Sequence, residues 1–225
     1  DVLIRLPPAG DDSSAAVSTA ILDALGSEVA GIDLRRVEFV GPQVGEELTE
    51  KGGLAMLFAF LGIMAYIAFR FEWKFSVGCV AALIHDVVVT LGVLSIFQVE
   101  FDLTTLGAIL ALIGYSNNET VVIYDRVREN LLGQRRAAVE DVVNLSINQT
   151  LLRSIITHLT TLLTMFALFF LGGPSVHSFS VTLIVGVLVA TYSSIYISTG
   201  IAILLGVKRE DLLPPKDDLE EKEVV

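Results

Sequence analysis

Five long apolar runs constrain the fold of this 225-residue chain more than any other feature of its sequence. A helix needs about 20 apolar residues to cross the roughly 30 Å hydrocarbon core of a bilayer, and each run approaches or exceeds that length. The composition agrees, since 53% of the residues are hydrophobic, only 18% are charged and the mean hydropathy is +0.68. We predict a mainly α-helical, polytopic membrane bundle with spans at about 54–69, 75–97, 103–124, 155–171 and 179–205.

The two ends of the chain differ in character from the apolar runs. Residues 1–53 contain two strand candidates, 2–6 and 34–40, separated by an amphipathic stretch at 14–25 that favours a helix. This order predicts the C-terminal part of a small α/β domain, which is too short to bury much of a core alone. Residues 207–225 are predicted to form an acidic tail, which is flexible from Pro214 on because that part is rich in proline, lysine and glutamate.

The connections between the runs predict the orientation of the chain. Lysine and arginine occur in the connections 70–74 and 125–153 and after the fifth run, whereas 98–102 and 172–178 contain neither. Because basic connections stay on the cytoplasmic side, we predict that residues 1–53 lie on the outer side of the membrane and that the C-terminus is cytoplasmic. An odd number of spans places the ends on opposite sides, so a protein with both ends inside would need one further span before this sequence begins.

The long cytoplasmic connection is predicted to contain a helix of its own. Over about 137–150, valine and leucine alternate with polar residues, a pattern typical of a helix that lies in the membrane interface. The predicted domains are therefore an outer part at 1–53, a bundle at 54–206 that includes this helix, and a tail at 207–225.

Several ionisable residues interrupt the apolar runs, where a charge near the bilayer centre costs roughly 2.5–3.5 kcal/mol. His85 and Asp86 fall near the middle of the second run. Glu119 falls in the inner half of the third run, within the polar stretch 114–120. Arg153 marks the inner edge of the fourth run and begins a polar stripe at helical spacing.

The third and fourth spans run antiparallel, so Glu119 and Arg153 are predicted to lie at similar depth. A carboxylate that meets a guanidinium, hydroxyls and water can form a proton relay, in which Glu119 takes up the proton and Arg153 supplies a permanent positive charge. The relay candidates are Glu119, Arg153, Thr157, Asp86, His85 and Asn118. The polar stripe adds Thr160, Thr161, Thr164 and, on the third span, Tyr115.

The sequence leaves structural interpretations of these residues open. His85 and Asp86 can form a pair that satisfies itself in the bundle core, and threonines in helices commonly bond to their own helix carbonyls. His158 and His177 are expected to be incidental.

Two other classes of protein are not expected. The basic residues stand beside the membrane segments rather than in one stripe, and the net charge is −11, so a nucleic-acid partner is not predicted. The sequence contains no H-E-x-x-H or G-x-S-x-G motif, and one His–Asp pair provides too few ligands for a metal, so we predict neither an enzyme nor a metal or organic cofactor.

A series of motifs resembles the SecF members of the SecD/SecF family of protein-export membrane proteins, in order and in spacing. The motifs are VEFVGPQVGEEL, FRFEWKF, HDVVVTLG, EFDLTTLGAIL, IGYSNNETVVIYDRVREN, SINQTLLRSIITHLTTLL, LFFLGGP and TYSSIYIS. The resemblance extends over about residues 36–209, and the family is itself similar to the resistance–nodulation–division transporters. It implies six spans with a periplasmic domain between the first two, so this chain would lack the first span and part of that domain.

The resemblance implies a subunit of the bacterial inner membrane that pairs with SecD. Together with the SecYEG translocon and YajC, it would use the proton-motive force in late steps of exporting an unfolded polypeptide, with protons as the coupling ion and lipid around it. The family's acid and arginine positions match Glu119 and Arg153, with Thr157 nearby. A passive assembly or scaffold subunit of the export channel is the alternative.

One motif departs from the family pattern. The family usually has Tyr-Ser-Leu-Asn-Asp followed by Thr or Ser, whereas this chain has Asn117, Asn118 and Glu119 before Thr120. Glutamate keeps the carboxylate but adds a methylene, so a proton-carrying role remains chemically possible with altered geometry.

Overall fold

The computed structural model describes residues 14–28, 42–134 and 136–212. Both strand candidates and most of the acidic tail lie outside the described residues, so the α/β part and the tail stay predictions. The chain divides into two compact units, residues 1–55 and 56–225. In the first unit, the stretch predicted as helical at 14–25 is helix α1, Ser14–Glu28.

Five helical segments among the described residues are long and apolar enough to cross a membrane, which confirms the predicted fold class. Four of them are α2 (Pro42–Arg70, apolar from Thr49), α3 (Trp73–Ile96), α4 (Leu103–Gly133) and α5 (Val139–Leu171). The fifth consists of a 3-10 turn (Pro174–Val176), α6 (His177–Tyr192), a π-helical segment (Ser193–Ser198) and α7 (Thr199–Leu204). A further 3-10 turn, Arg209–Leu212, follows.

Three helices are longer than the apolar runs that predicted them, and the first of these, α2, begins at Pro42 rather than near residue 54. Helix α4 ends at Gly133 rather than near residue 124. Helix α5 begins at Val139, so the predicted interfacial helix and the fourth span are one continuous helix rather than two. Hydropathy identifies only the part of a helix that is apolar enough for lipid. Residues 139–171 contain no glycine or proline, so the helix continues from the predicted interfacial segment into the fourth span.

The start of α4 is fixed by its N-terminal cap. The Asp102 carboxylate accepts a hydrogen bond from the backbone N–H of Thr105 at 2.7 Å and from the hydroxyls of Thr104 and Thr105 at 2.7 and 2.9 Å. Burial alone would raise the pKa of Asp102, but these hydrogen bonds together hold that pKa below its usual range. This cap fixes the residue at which α4 begins.

Helices α4 and α6 lie at the centre of the bundle, since they pack against each other and each also packs against α3 and α5. The main core is built from large buried side chains such as Phe75, Leu83, Ile109 and Tyr124. Helices α2 and α5 bury little of their apolar length, whereas α3, α4 and the fifth segment bury nearly half of theirs. Several polar residues of α3, α4 and α6 are buried in these contacts, among them Asp86, Ser116, Glu119 and Ser180.

The π-helical segment approaches α3 very closely. A Cβ atom added to Gly78 would lie 2.5 Å from the Ser198 carbonyl oxygen and 2.6 Å from the Tyr124 hydroxyl oxygen. The Tyr124 hydroxyl donates a hydrogen bond of 2.9 Å to that same carbonyl. A π-helical turn displaces carbonyls from the normal helical pattern, and here a side chain of α4 provides a partner for one of them.

At the basic end of α3, an ion pair ties the start of that helix to the end of the described chain. Lys74 Nζ donates to the Gly206 carbonyl at 3.0 Å and to Asp211 Oδ2 at 2.5 Å, and the backbone N–H of Lys208 donates to the same carboxylate at 2.8 Å. Gly206 has a φ of 69°, which glycine adopts without strain, so α7 can end there and turn back toward Lys74.

We expect Asp211→Asn to speed backbone hydrogen exchange of residues 206–211 roughly fivefold near neutral pH, equivalent to about 1 kcal/mol for a partly exposed ion pair. Burial alone would raise the pKa of Asp211, but the hydrogen bonds from Lys74 and Lys208 hold that pKa below its usual range. A depressed pKa stabilises the fold above the unfolded value of about 3.9, and this contribution disappears as the pH falls through the folded value. Mass spectrometry of exchange should therefore find no difference between variant and wild type well below about pH 4.

The matched control is Asp125→Asn. Asp125 pairs with Arg70 at 3.3 Å, but 43% of the arginine and 60% of the aspartate side chain are exposed. Exposed pairs contribute little, so exchange near Asp125 should hardly change. Equal effects of the two substitutions, or an Asp211→Asn effect that persists in acid, would contradict the assignment.

Candidate functional site

Glu119 lies on the face of α4 that packs against α5, and only 6% of the residue is exposed. The Ser154 hydroxyl of α5 donates a hydrogen bond to Glu119 Oε1. His158 Nε2 lies 4.0 Å from Glu119 Oε2. Ser154 and His158 are one turn apart on α5, so one face of that helix presents both polar groups to the same carboxyl group.

Arg153 does not contact Glu119 in the described part of the protein. It is exposed, and its guanidinium forms no ion pair with any described residue. Successive residues of an α-helix are about 100° apart, so the rotation that directs Ser154 toward Glu119 directs Arg153 away from it. The two helices meet at the expected depth, but through Ser154; the role of Arg153 in a relay stays a prediction.

The threonine stripe of α5 is bonded to its own helix. The hydroxyls of Thr157, Thr160, Thr161 and Thr164 each donate to a carbonyl three or four residues earlier, at 2.9 to 3.0 Å. Thr160 and Thr164 are also exposed. The threonines are therefore bonded to their own helix carbonyls, which is the structural interpretation that the sequence left open. Their hydroxyls do not form a hydrogen-bonded path between helices.

His158 is the residue of this site that sequence reasoning set aside. It is 4% exposed, its Nδ1 lies 3.1 Å from Thr191 Oγ1 of α6, and its ring centre lies 5.5 Å from that of Tyr115. The signal that could have found it is the four-residue spacing from Ser154, once Ser154 rather than Arg153 is taken as the inward position.

Three polar atoms close to Glu119 in space or in sequence are buried without a hydrogen-bond partner. They are His158 Nε2, Tyr115 Oη and Thr120 Oγ1. The hydroxyls of Thr157 and Thr161 lie beside Tyr115 but donate to their own helix. Buried polar atoms are usually satisfied, so His158 Nε2 and Tyr115 Oη provide unused hydrogen-bonding capacity near the carboxyl group.

A second buried carboxyl group, Asp86, is 1% exposed in the contact between α3 and α4. Its Oδ2 accepts a hydrogen bond from the Ser116 hydroxyl at 2.6 Å, and its Oδ1 lies 3.3 Å from His85 Nδ1. The Ser193 hydroxyl of the π-helical segment lies beside it as well. Asp86 and His85 are thus together as predicted, whereas Asn118 is exposed and joins neither carboxyl group.

We expect Ser116→Ala to destabilise the bundle by roughly 1–3 kcal/mol, because a buried acceptor of Asp86 would lose its partner. The matched control is Ser180→Ala, since the equally buried Ser180 hydroxyl donates only to the His177 carbonyl, at 2.8 Å within its own helical end. The midpoint of denaturant unfolding in detergent measures both. A Ser180→Ala loss as large as that of Ser116→Ala would contradict the importance of the bond between the helices.

The chain is similar to known proteins over nearly its whole length. Residues 20–208 match a family model described as protein export membrane protein SecD/SecF, C-terminal. The chain is 50% identical to protein translocase subunit SecF of Pseudomonas aeruginosa over 99% of its own length and 72% of that protein. It is 44% identical to the Vibrio alginolyticus protein of that name, over 98% and 70%, and 41% identical to that of Escherichia coli O157:H7, over 98% and 69%.

Two solved structures have the same arrangement of helices. One is the crystal structure of SecDF, a translocon-associated membrane protein, from Thermus thermophilus, with a TM-score of 0.76, 40% identity and coverage of 89% of this chain. The other is SecDF in a super-membrane-facing form, with a TM-score of 0.74, 36% identity and coverage of 97%. The chain spans only 27% and 28% of those two longer chains, respectively.

Proposed function

Since the chain belongs to the SecD/SecF family of protein-export membrane proteins, we propose that it is a SecF-type translocase subunit that uses the proton-motive force in late steps of export. The observation that carries this proposal is Glu119, a carboxyl group buried inside an integral membrane bundle without a lysine or arginine partner among the described residues. A charge in such a place is costly, so the protonated and ionised forms of Glu119 stabilise different packings of α4 and α5.

The proton gradient supplies enough free energy for such a switch. Moving one elementary charge through 100 mV releases about 2.3 kcal/mol. A difference of that size changes the ratio of two conformations roughly 50-fold. One proton that binds Glu119 in one conformation and leaves it in the other can therefore drive the bundle between two states, provided that the two states bind the proton differently.

The proposed setting is the bacterial inner membrane, with residues 1–53 in the periplasm and the C-terminus in the cytoplasm. The positive-inside pattern of the connections supports this orientation. The proposed partners are SecD, the SecYEG translocon with YajC, and the exported unfolded polypeptide. Support for a SecD-like partner comes from the solved SecDF chains, which extend well beyond the part that this chain matches.

The exposed apolar faces also suit lipid or a partner subunit. Helix α2 exposes Phe58 and Phe69, and α5 exposes Leu163 and Phe170. A membrane or a second bundle would cover these side chains.

A passive assembly role is the second candidate, and one observation favours it. Arg153 does not reach Glu119, and the threonines of α5 are bonded to their own helix, so the described residues alone contain no continuous relay. In this alternative, the buried carboxyl groups only fix how the helices pack.

An export assay in proteoliposomes distinguishes the two roles. The complex is assembled with wild-type or Glu119→Gln chain, and secretion of a precursor is followed with and without an imposed proton gradient. The proposal expects stimulation by the gradient that Glu119→Gln removes. Unchanged stimulation with Glu119→Gln would favour the scaffold role.

A further inference from the structure

We propose that His158 is the group with which Glu119 shares its proton, so that the two side chains form one proton-binding pair across the contact of α4 and α5. The inference rests on the proposed function for its part in transport, while the pairing itself follows from geometry. The partner of the Glu119 carboxyl group is then the His158 imidazole rather than Arg153, which the sequence indicated.

The hydrogen bonds around His158 determine which ring nitrogen carries its hydrogen. The Thr191 hydroxyl donates to the Val187 carbonyl of its own helix at 2.7 Å, shorter than its 3.1 Å contact with His158 Nδ1. With its only hydrogen used in this way, the Thr191 oxygen is an acceptor toward the ring. In the neutral imidazole, Nδ1 therefore carries the hydrogen and Nε2 presents a lone pair.

That lone pair faces the carboxyl group of Glu119. His158 Nε2 lies 4.0 Å from Glu119 Oε2, is buried, and has no hydrogen-bond partner, whereas Oε1 already accepts from Ser154. Two acceptors that face each other in a buried site cannot satisfy each other. One added proton resolves the conflict, because either the carboxyl group donates to Nε2 or the imidazolium donates to the carboxylate.

The distance of 4.0 Å leaves the two groups just short of a direct hydrogen bond. A hydrogen bond between N and O needs about 2.7–3.2 Å, so the two groups must approach by roughly 1 Å or share one water molecule. Closing that gap would draw α4 and α5 together at Ser154 and His158. Proton binding at this pair is thereby linked to the packing of two helices that cross the membrane.

The groups around the pair offer no competing site for the proton. From α4, the Tyr115 ring lies beside that of His158, tilted by 49° with the ring centres 5.5 Å apart, and its hydroxyl is buried without a partner. From α6, Thr191 contributes a hydroxyl, and Tyr192 instead lies near His85. On α5 itself, Arg153 is exposed and provides no buried charge.

The glutamate in place of the family's usual aspartate contributes to this arrangement. An aspartate at position 119 would withdraw the carboxyl group by about 1.5 Å, the length of one carbon–carbon bond. The additional methylene lets the carboxyl group reach Ser154 and His158 on the neighbouring helix.

Nitrogen-15 NMR of histidine in the chain reconstituted in lipid nanodiscs tests the pair directly. The 225 residues contain only three histidines, so His85→Gln and His177→Gln assign the imidazole signals without ambiguity. We expect the wild-type His158 ring to be the Nδ1–H tautomer when neutral. We also expect Glu119→Gln to shift the pH midpoint of His158 by about one unit or more, while His177 does not change.

Thr191→Val is the second variant, because it keeps the side-chain shape and removes the acceptor for Nδ1–H. The Nε2–H tautomer of His158 should then increase, whereas the His177 signal again serves as the control for folding. A wild-type ring in the Nε2–H form, or a His158 titration that Glu119→Gln leaves unchanged, would overturn the pair.

The NMR experiment tests the pair and the export experiment tests the transport role, so either claim can be refuted without the other. If Glu119→Gln shifts the His158 signal but gradient-driven export persists, the pair stands as a proton-binding site and the proposed transport role is wrong. If export is lost while the His158 titration is unaffected, Glu119 acts without His158 and only the inference falls.

Discussion

Glu119→Gln is expected to abolish the gradient-dependent part of export, a loss of roughly 50-fold in the driven step at 100 mV. Glutamine has the shape of glutamate and its amide oxygen can still accept the hydrogen bond from Ser154. Its amide group can donate to His158 Nε2, so the helices keep their contact without any proton to take up or release. The loss should therefore appear in the export rate under a gradient and not in the unfolding midpoint of the purified chain.

Two further substitutions sharpen this expectation. Glu129→Gln removes a carboxylate from the same helix, but 66% of that side chain is exposed and it pairs with Arg126, so export should not change. Glu119→Asp keeps the acid and shortens its reach, so we expect intermediate export and a weaker dependence of the His158 signal on position 119. Full gradient-dependent export by Glu119→Gln would show that this carboxyl group does not carry the coupling proton.

Gly78→Ala is expected to destabilise the bundle by about 3 kcal/mol, the upper part of the usual range for an overpacked core. The new Cβ would lie 2.5 Å from the Ser198 carbonyl oxygen, which belongs to the backbone and cannot rotate away. The Tyr124 hydroxyl, 2.6 Å from the same point, would have to leave its hydrogen bond. The contact of α3 with α4 and the π-helical segment would then open.

Two other glycines serve as controls, with unfolding midpoints in detergent as the measurement. Gly92 belongs to the same helix, and a Cβ atom added there would meet no other atom within 4 Å, so alanine should stabilise the helix by roughly 0.5–1 kcal/mol. At Gly186, the three atoms nearest to an added Cβ all belong to the side chain of Leu112, which can change its rotamer, so the loss should be smaller than at Gly78. A Gly78→Ala chain as stable as Gly92→Ala would contradict the close approach.

The membrane bundle could be predicted from sequence because hydropathy is a local property. A run such as 75–97 is apolar whatever its neighbours do, and α3 occupies nearly the same residues, Trp73–Ile96. The ends of helices were harder to predict, since α5 continues through polar residues that hydropathy assigns to a separate segment. Helix ends depend on capping and on residues that break the hydrogen-bond pattern, not on the limits of the apolar surface.

By itself, the sequence predicted which segments enter the membrane and which ionisable residues they carry, including Asp86 and Glu119. The tertiary structure decided which of them meet. Ser154 and His158 face Glu119 while Arg153 does not, because the rotation of α5 about its axis is set by its packing against α4 and α6. Adjacent residues on a helix point about 100° apart, so a change of that size in the rotation of α5 would exchange one partner for another.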